Sequence, residues 1–368
     1  MKEPTGATVP PLARRVHCDV SAAEPGPTLL CIAGVHGNEP AGVRALERTS
    51  ARLAATRGPA RGRFVGVLGN LSALDRAERY VDRDLNRGWL KRPGPTGAAE
   101  DGEQRALQEI LDGVVATSPY GVVVLDLHTT SSAGPPFSLI GDTLANRAFA
   151  ADLGLPIVLG LEELLDGTLL DYLHGRVSVA VGVEGGRHDD PAAADLLTEV
   201  LGRALGRLGM EAAPDAPREN GGRPSPRFLE VRHRQQVDPA RDGFRMHPGY
   251  RNFQPVGEGE VVATDARGPI RVPERGLLLM PLYQRLGEDG FFVVRAIRPL
   301  WIRLSALLRD LRLDRCLHWL PGVRAHPGRV ATYAVDRRIA RWYALEIFHL
   351  LGYRRVRERG GVLLVTRR

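Results

Sequence analysis

The sequence predicts an α/β fold: a mostly parallel, mixed sheet with helices on both faces, then a small β domain and an α+β C-terminal extension. Three observations carry that expectation. Apolar runs alternate with helical patterns through the first half of the 368 residues, the signature of strand–helix–strand units. The runs are rich in Val, Leu and Ile without strict alternation, as strands covered on both faces should be. Beyond a segment rich in Pro, Gly and charge at 211–227, the apolar runs become short and turns frequent.

Taken in order, strands are predicted at 28–35, 63–68, 122–127, 138–140, 156–159 and 177–183, with helices at 41–55, 102–116, 144–153 and 191–208. Together they make a catalytic domain over 1–212. Short strands at 228–237, 260–264, 269–272, 277–283 and 291–297 define a small β domain over 226–298. After Pro299 the pattern is again helical, at 300–313 and 337–351. It closes with a strand pair, 353–357 and 362–366, turning at Gly360-Gly361. That basic extension spans 299–368. No internal repeat is evident.

Composition narrows the class. Hydrophobic content of 43% and charged content of 25% are those of a soluble globular protein. The first fifteen residues lack the apolar stretch of a signal peptide, and no run reaches the length of a membrane span, so a cytoplasmic protein is expected. Cys18, Cys31 and Cys316 are scattered and odd in number, which argues against a disulfide framework and excludes a cysteine-based zinc knuckle. The net charge of +7 and a pI near 9.7 suggest a polyanion partner, but the charge is localised. From Arg295 onward there are 17 arginines against five acidic residues, so the rest of the chain is mildly acidic. Lysine occurs only at Lys2 and Lys91, the mark of a GC-rich genome more than of a binding surface. A nucleic-acid-binding protein with a vestigial site is therefore the weaker alternative, and homo-oligomerisation stays open.

In open α/β sheets ligands bind beyond the carboxyl ends of the strands. The chemically conspicuous residues fall there: His36 and Glu39 after the first strand, Asn70 after the second, His128 after the third, and Glu184 after the run at 177–183. His36-Gly37-Asn38-Glu39 alone reads equally well as a loop entering a helix. With His128 directly behind a buried apolar run, the set becomes two imidazoles and a carboxylate. That is the ligand set of a catalytic zinc, one per chain, with a fourth position open. Glu184 is either a structural ion-pair partner or the general base beside that metal. The segment Arg79–Arg87 is too polar for a core strand. As a solvated loop it needs no function; near a metal its guanidiniums would stabilise an oxyanion or hold a carboxylate. Arg176 and Arg187 lie near the same face and could read a second anionic group. His188, His174 and the remaining histidines show no ligand grouping.

Four motifs together resemble the succinylglutamate desuccinylase/aspartoacylase family, relatives of the zinc carboxypeptidases. They are Gly34-Val35-His36-Gly37-Asn38-Glu39-Pro40-Ala41-Gly42, Arg79-Tyr80-Val81-Asp82-Arg83-Asp84-Leu85-Asn86-Arg87, Asp126-Leu127-His128-Thr129 and Val183-Glu184-Gly185-Gly186. Met246–Tyr250 and Met280–Tyr283 are similar to the family's small β domain. The resemblance implies zinc held by His36, Glu39 and His128, with Glu184 as general base. It implies that Arg79 polarises the scissile carbonyl and that Asn86 and Arg87 hold a substrate carboxylate. Tyr172 and Arg176 match a further substrate-binding pair only loosely in spacing. Where aspartoacylases supply a tyrosine from the second domain, this chain has Gly290-Phe291-Phe292. The implied reaction is zinc-dependent N-deacylation of an N-acyl amino acid or similar small anionic acylated amine, a carboxypeptidase of the same fold being the alternative.

Overall fold

In the computed structural model the described residues are 15–90, 97–211, 227–238, 241–327, 331–336, 338–339, 344–359 and 362–367. The core strands are β1 (Val16–Ser21), β2 (Thr28–Ala33), β3 (Arg63–Leu68), β4 (Val122–Thr130), β5 (Phe137–Ile140), β6 (Ile157–Leu159), β7 (Val179–Arg187) and β8 (Phe228–Gln236). They lie side by side in the order β1-β3-β2-β4-β7-β5-β6-β8. Five of these seven pairings are parallel. The other two, β1 with β3 and β5 with β7, are antiparallel.

Helices α1 (Pro40–Ala55), α2 (Leu71–Arg76), α3 (Ala99–Ala116), α4 (Leu144–Asp152), α5 (Leu161–Leu164), α6 (Leu169–Leu173) and α7 (Pro191–Arg207) connect the strands and cover both faces. Alternation along β2 shows why both faces must be apolar. Leu29, Cys31 and Ala33 pack with Leu46 of α1 and Leu201 of α7, whereas Leu30 and Ile32 meet Leu107 and Leu111 of α3. All six β2 residues are buried, so the strand reads as a continuous apolar run.

Half of the strands in the second region continue the central sheet. Its strands are β9 (Arg245–Met246), β10 (Pro255–Val256), β11 (Val261–Asp265), β12 (Gly268–Arg271), β13 (Gly276–Leu279) and β14 (Asp289–Ala296). Three of them extend the central sheet past β8 in the order β14-β13-β10, giving eleven strands. Only β12-β11-β9 form a sheet of their own. The join is made by β8, which pairs in parallel with β6, Val158 opposite Leu229. The expected strand at 277–283 stops at Leu279 because Met280 adopts φ 51°.

In the C-terminal region α8 (Pro299–Asp310) precedes β15 (Val323–Ala325) and β16 (Thr332–Asp336). Helix α9 (Ala344–Leu350), β17 (Tyr353–Arg359) and β18 (Val362–Arg367) follow, the strands ordered β15-β16-β18-β17. Leu317, Val335, Phe348, Tyr353 and Val365 form its own core. Residues 337 and 340–343 of the expected helix at 337–351, the Gly360-Gly361 turn and most of the 211–227 linker lie outside the described residues, and residues 338–339 form a turn instead of helix. This region docks on the first one through Asp142, whose buried carboxylate receives Arg147 (2.6 Å), Arg309 (2.9 Å) and Arg354 (2.6 Å). Among the described residues, no helix is long and apolar enough to cross a membrane.

Candidate metal centre

The carboxyl ends of β2, β4 and β7 assemble the centre. After Ala33 the chain turns through His36 to Glu39, which precedes α1 with Pro40 at the first helical position. Gly37 is required between them, because a Cβ there would lie 2.1 Å from the backbone of Ala73. Ala33 is level with Leu127, so His128 emerges one residue beyond the end of β2. His128 is in turn level with Glu184 on β7. Sheet register therefore brings residues 36, 39, 128 and 184 to one place.

His36, Glu39 and His128 offer ligand atoms that lie within 4.8 Å of one another, all buried. Both rings present Nδ1 to the shared carboxylate: His36 Nδ1 is 2.8 Å from Glu39 Oε1, and His128 Nδ1 is 3.0 Å from Oε2. The opposite nitrogens meet carboxylates as well. His36 Nε2 lies 3.1 Å from Asp84 Oδ1 and His128 Nε2 lies 3.0 Å from Asp126 Oδ2. Each ring thus has an outer carboxylate beside it, hydrogen-bonded at His36 and at ion-pair distance at His128, that would orient the imidazole towards a metal. Neither Asp84 nor Asp126 was singled out from sequence. The only hint is that both sit inside matched motifs.

The electrostatics suit a dication. Burial alone would raise the Glu39 carboxyl, but the two imidazoles outweigh it and hold it well below the usual range. Burial would lower His128, yet Asp126 and Glu39 drive it well upward. Glu184 differs. Its burial pushes the carboxyl up to about 8, despite His128 nearby, and its Oε2 has no partner. The donor set and this idle carboxyl fit a catalytic zinc.

Arg79 stands at the rim, Nη1 3.5 Å from Glu39 and Nη2 3.1 Å from Asp84. Its loop is held from below by Glu100 at the start of α3. That carboxylate accepts the backbone N–H groups of Val81 (2.7 Å), Asp82 (3.1 Å) and Arg83 (3.2 Å). It also accepts Asn70 Nδ2 at 3.1 Å, which gives the strand-end Asn70 a structural task. Glu100 was likewise missed; an acid in a first helical turn looks ordinary.

A cavity of about 340 Å³ opens from the centre, lined by His36, Glu39, Arg79, Asn86, Arg87, His128 and Glu184 together with many apolar side chains. Asn86 and Arg87 are thus brought to the site, each partly engaged, with Arg87 Nε left without a partner. Asn86 Oδ1 accepts from Leu169 N (2.7 Å), and Arg87 bonds Asn86 O (2.8 Å) and Asp289 (2.6 Å). Arg176 is not brought to the cavity wall. Its guanidinium stacks 4.3 Å from the Tyr172 ring and pairs with Asp112 on the surface. Arg187 points outward to Asp189. His188 is no ligand but a neighbour, bonded to Thr129 (2.7 Å) and Gln284 (3.2 Å).

Residues 25–197 match the family model described as the succinylglutamate desuccinylase/aspartoacylase catalytic domain. That match spans 173 of the 368 residues, just under half of the chain. The succinylglutamate desuccinylase of Pseudomonas aeruginosa is 28% identical over 263 residues, 68% of this chain and 77% of that protein. A probable aspartoacylase of a Synechococcus species is 39% identical over 139 residues, 36% of this chain and 44% of its own. The fold is shared with a succinylglutamate desuccinylase/aspartoacylase of Rhodobacter sphaeroides (TM-score 0.58, 20% identity, 76% of this chain and 87% of that one). Succinylglutamate desuccinylase of Vibrio cholerae is similar too (TM-score 0.59, 17% identity, 74% and 82%). Family members are zinc-dependent hydrolases of C–N bonds in acylated amino acids, and the buried His36, Glu39 and His128 are consistent with that metal site.

Proposed function

We propose that the protein is a zinc-dependent amidohydrolase that removes the acyl group from a small N-acylated amine, acylated amino acids being the family's class. The observation that carries this reading is Glu184: buried, level with the ligand His128, and with an unpartnered oxygen. Zinc, when bound by His36, Glu39 and His128, supplies a Lewis acid for the amide carbonyl and acidifies a water. Glu184 takes the proton of the attacking water and returns it to the departing amine, for which a carboxyl of raised basicity is suited. Arg79, held by Glu39 and Asp84, presents positive charge where the carbonyl oxygen becomes an oxyanion.

A covered site favours a small substrate over a peptide chain. Met280, Asp289 and Phe292 from the second region wall the cavity, and Gln284 ties that wall to Asn38 (2.9 Å) and His188. The test is amine release from a panel of N-acyl compounds by the zinc-loaded protein, with Glu184→Gln alongside. Turnover by the wild type that falls about 10²-fold or more in the variant, zinc content unchanged, is the expected result. Full turnover by Glu184→Gln would assign the proton transfer to another group.

A further inference from the structure

Helix α8 is docked on one side and apolar on the other. Toward the protein, Ser305 and Arg309 are buried: Ser305 Oγ donates to Leu350 O at 2.6 Å and Arg309 holds Asp142 at 2.9 Å. Ile302 packs on the central core and Leu308 on the C-terminal one, which fixes how the helix is turned. Its far side carries Leu300, Leu304, Leu307 and the capping Leu311, spaced i, i+4, i+7 and i+11. That spacing sets all four in one stripe, opposite Ser305 and Arg309 on the helix circumference. Leu300 is 72% exposed, Leu307 54% and Leu311 61%, with Trp301 beside them at 47%. Alternating steps of four and three are those of a helix-pair seam, and a contiguous exposed apolar stripe marks an interaction site.

The charges along the stripe say what covers it. One flank carries Arg303 and Asp310, both exposed, and among the described residues neither is ion-paired. The other flank carries Trp301 and Leu308. A second α8 can be laid antiparallel on the first about a two-fold axis level with the Ser305–Ala306 peptide. Leu300 then stacks on the partner's Leu311, and Leu304 on the partner's Leu307. An antiparallel pair sets like flanks together, so Arg303 meets the partner's Asp310, and Trp301 the partner's Leu308. A parallel pair sets unlike flanks together and would press both charges against Trp301 and Leu308. A lipid surface offers no matched counterpart for two charges of opposite sign on one flank. One register thus satisfies the leucines, the charges and the tryptophan, as a self-complementary two-fold interface must.

We propose that α8 is a homodimer interface, in which two copies of the chain pair antiparallel along Leu300, Leu304, Leu307 and Leu311 with reciprocal Arg303–Asp310 ion pairs. A single 12-residue helix, about 18 Å long, buries less than the roughly 800 Å² per partner of a standard interface. A micromolar dissociation constant is therefore expected.

Sedimentation velocity on the zinc-loaded, full-length protein, from about 1 to about 100 μM, should show the chain passing from monomer to dimer. Leu307→Glu puts a charge in the seam and should weaken association about tenfold or more. Arg303→Asp and Asp310→Arg each set like charges face to face across the axis, and each should weaken it about as much. Mixed in equal amounts, these two variants should pair with one another and recover association to within about threefold of wild type, since each supplies the charge the other lost. None of the three positions lines the cavity of the metal centre, and zinc content and melting temperature report intact folding. A monomer throughout, a dimer indifferent to Leu307→Glu, or no recovery in the mixture would each overturn the proposal. Binding of a monomeric wild type to vesicles of phosphatidylcholine and phosphatidylserine would overturn it too, by assigning the stripe to a membrane surface.

Discussion

At the residue scale, function rests on carboxylates that differ only in surroundings. Asp84 and Asp126 orient imidazoles, Glu39 joins them, and Glu184 is left without a partner for one oxygen. Asp84→Asn or Asp126→Asn should therefore weaken zinc binding roughly 10- to 100-fold without unfolding the protein, checked by chelator competition. Unaltered affinity in both would remove them from the centre. Glu184 predicts a pH effect on the metal-free protein. Its folded value, about 8, lies above the ordinary 4.5, so its contribution to stability is complete below pH 4.5 and lost as pH rises through 8. Glu184→Gln lacks that loss, so its melting temperature should gain on wild type between pH 5 and 8. A constant difference would mean the carboxyl is already ionised. His36, Glu39, His128 and Glu184 were legible in sequence because each follows an apolar run. Asp84, Asp289 and Glu100 were not, because a carboxylate in a polar stretch looks solvated until its partner is known.

At the element scale, the loop carrying Arg79 and Asp84 is only as rigid as its support. Glu100 gives it three backbone hydrogen bonds from a fully buried position. Glu100→Ala strands those N–H groups, at a cost of about 1–3 kcal/mol for each left unpaired. It should lower kcat more than melting temperature alone would suggest, by letting Arg79 drift. Normal kcat would show that the loop holds itself. Strand ends explain which predicted elements held. β2 and β4, apolar on both faces, were legible as buried strands. β8 (Phe-Leu-Glu-Val-Arg-His-Arg-Gln-Gln) was legible as a strand but not as the parallel neighbour of β6, since a partner is a tertiary fact.

At the scale of the whole molecule, the basic extension has a defined seat. The helical pattern after Pro299 does not say what the extension packs on; Asp142, just beyond β5, supplies an anchor for Arg309 and Arg354. Asp142→Ala would leave three guanidiniums buried without their carboxylate and should cost about 3–5 kcal/mol, read by denaturant unfolding. A loss under 1 kcal/mol would mean the seat is incidental. The division at 1–212, 226–298 and 299–368 remains a proposal, tested by whether limited proteolysis cuts first at 212–226. The central claim is the metal centre itself, and elemental analysis of the zinc-reconstituted protein beside His128→Ala tests it most directly. About one zinc per chain in the wild type, and most of it lost in the variant, is the predicted result. Equal zinc in both proteins would contradict the assignment.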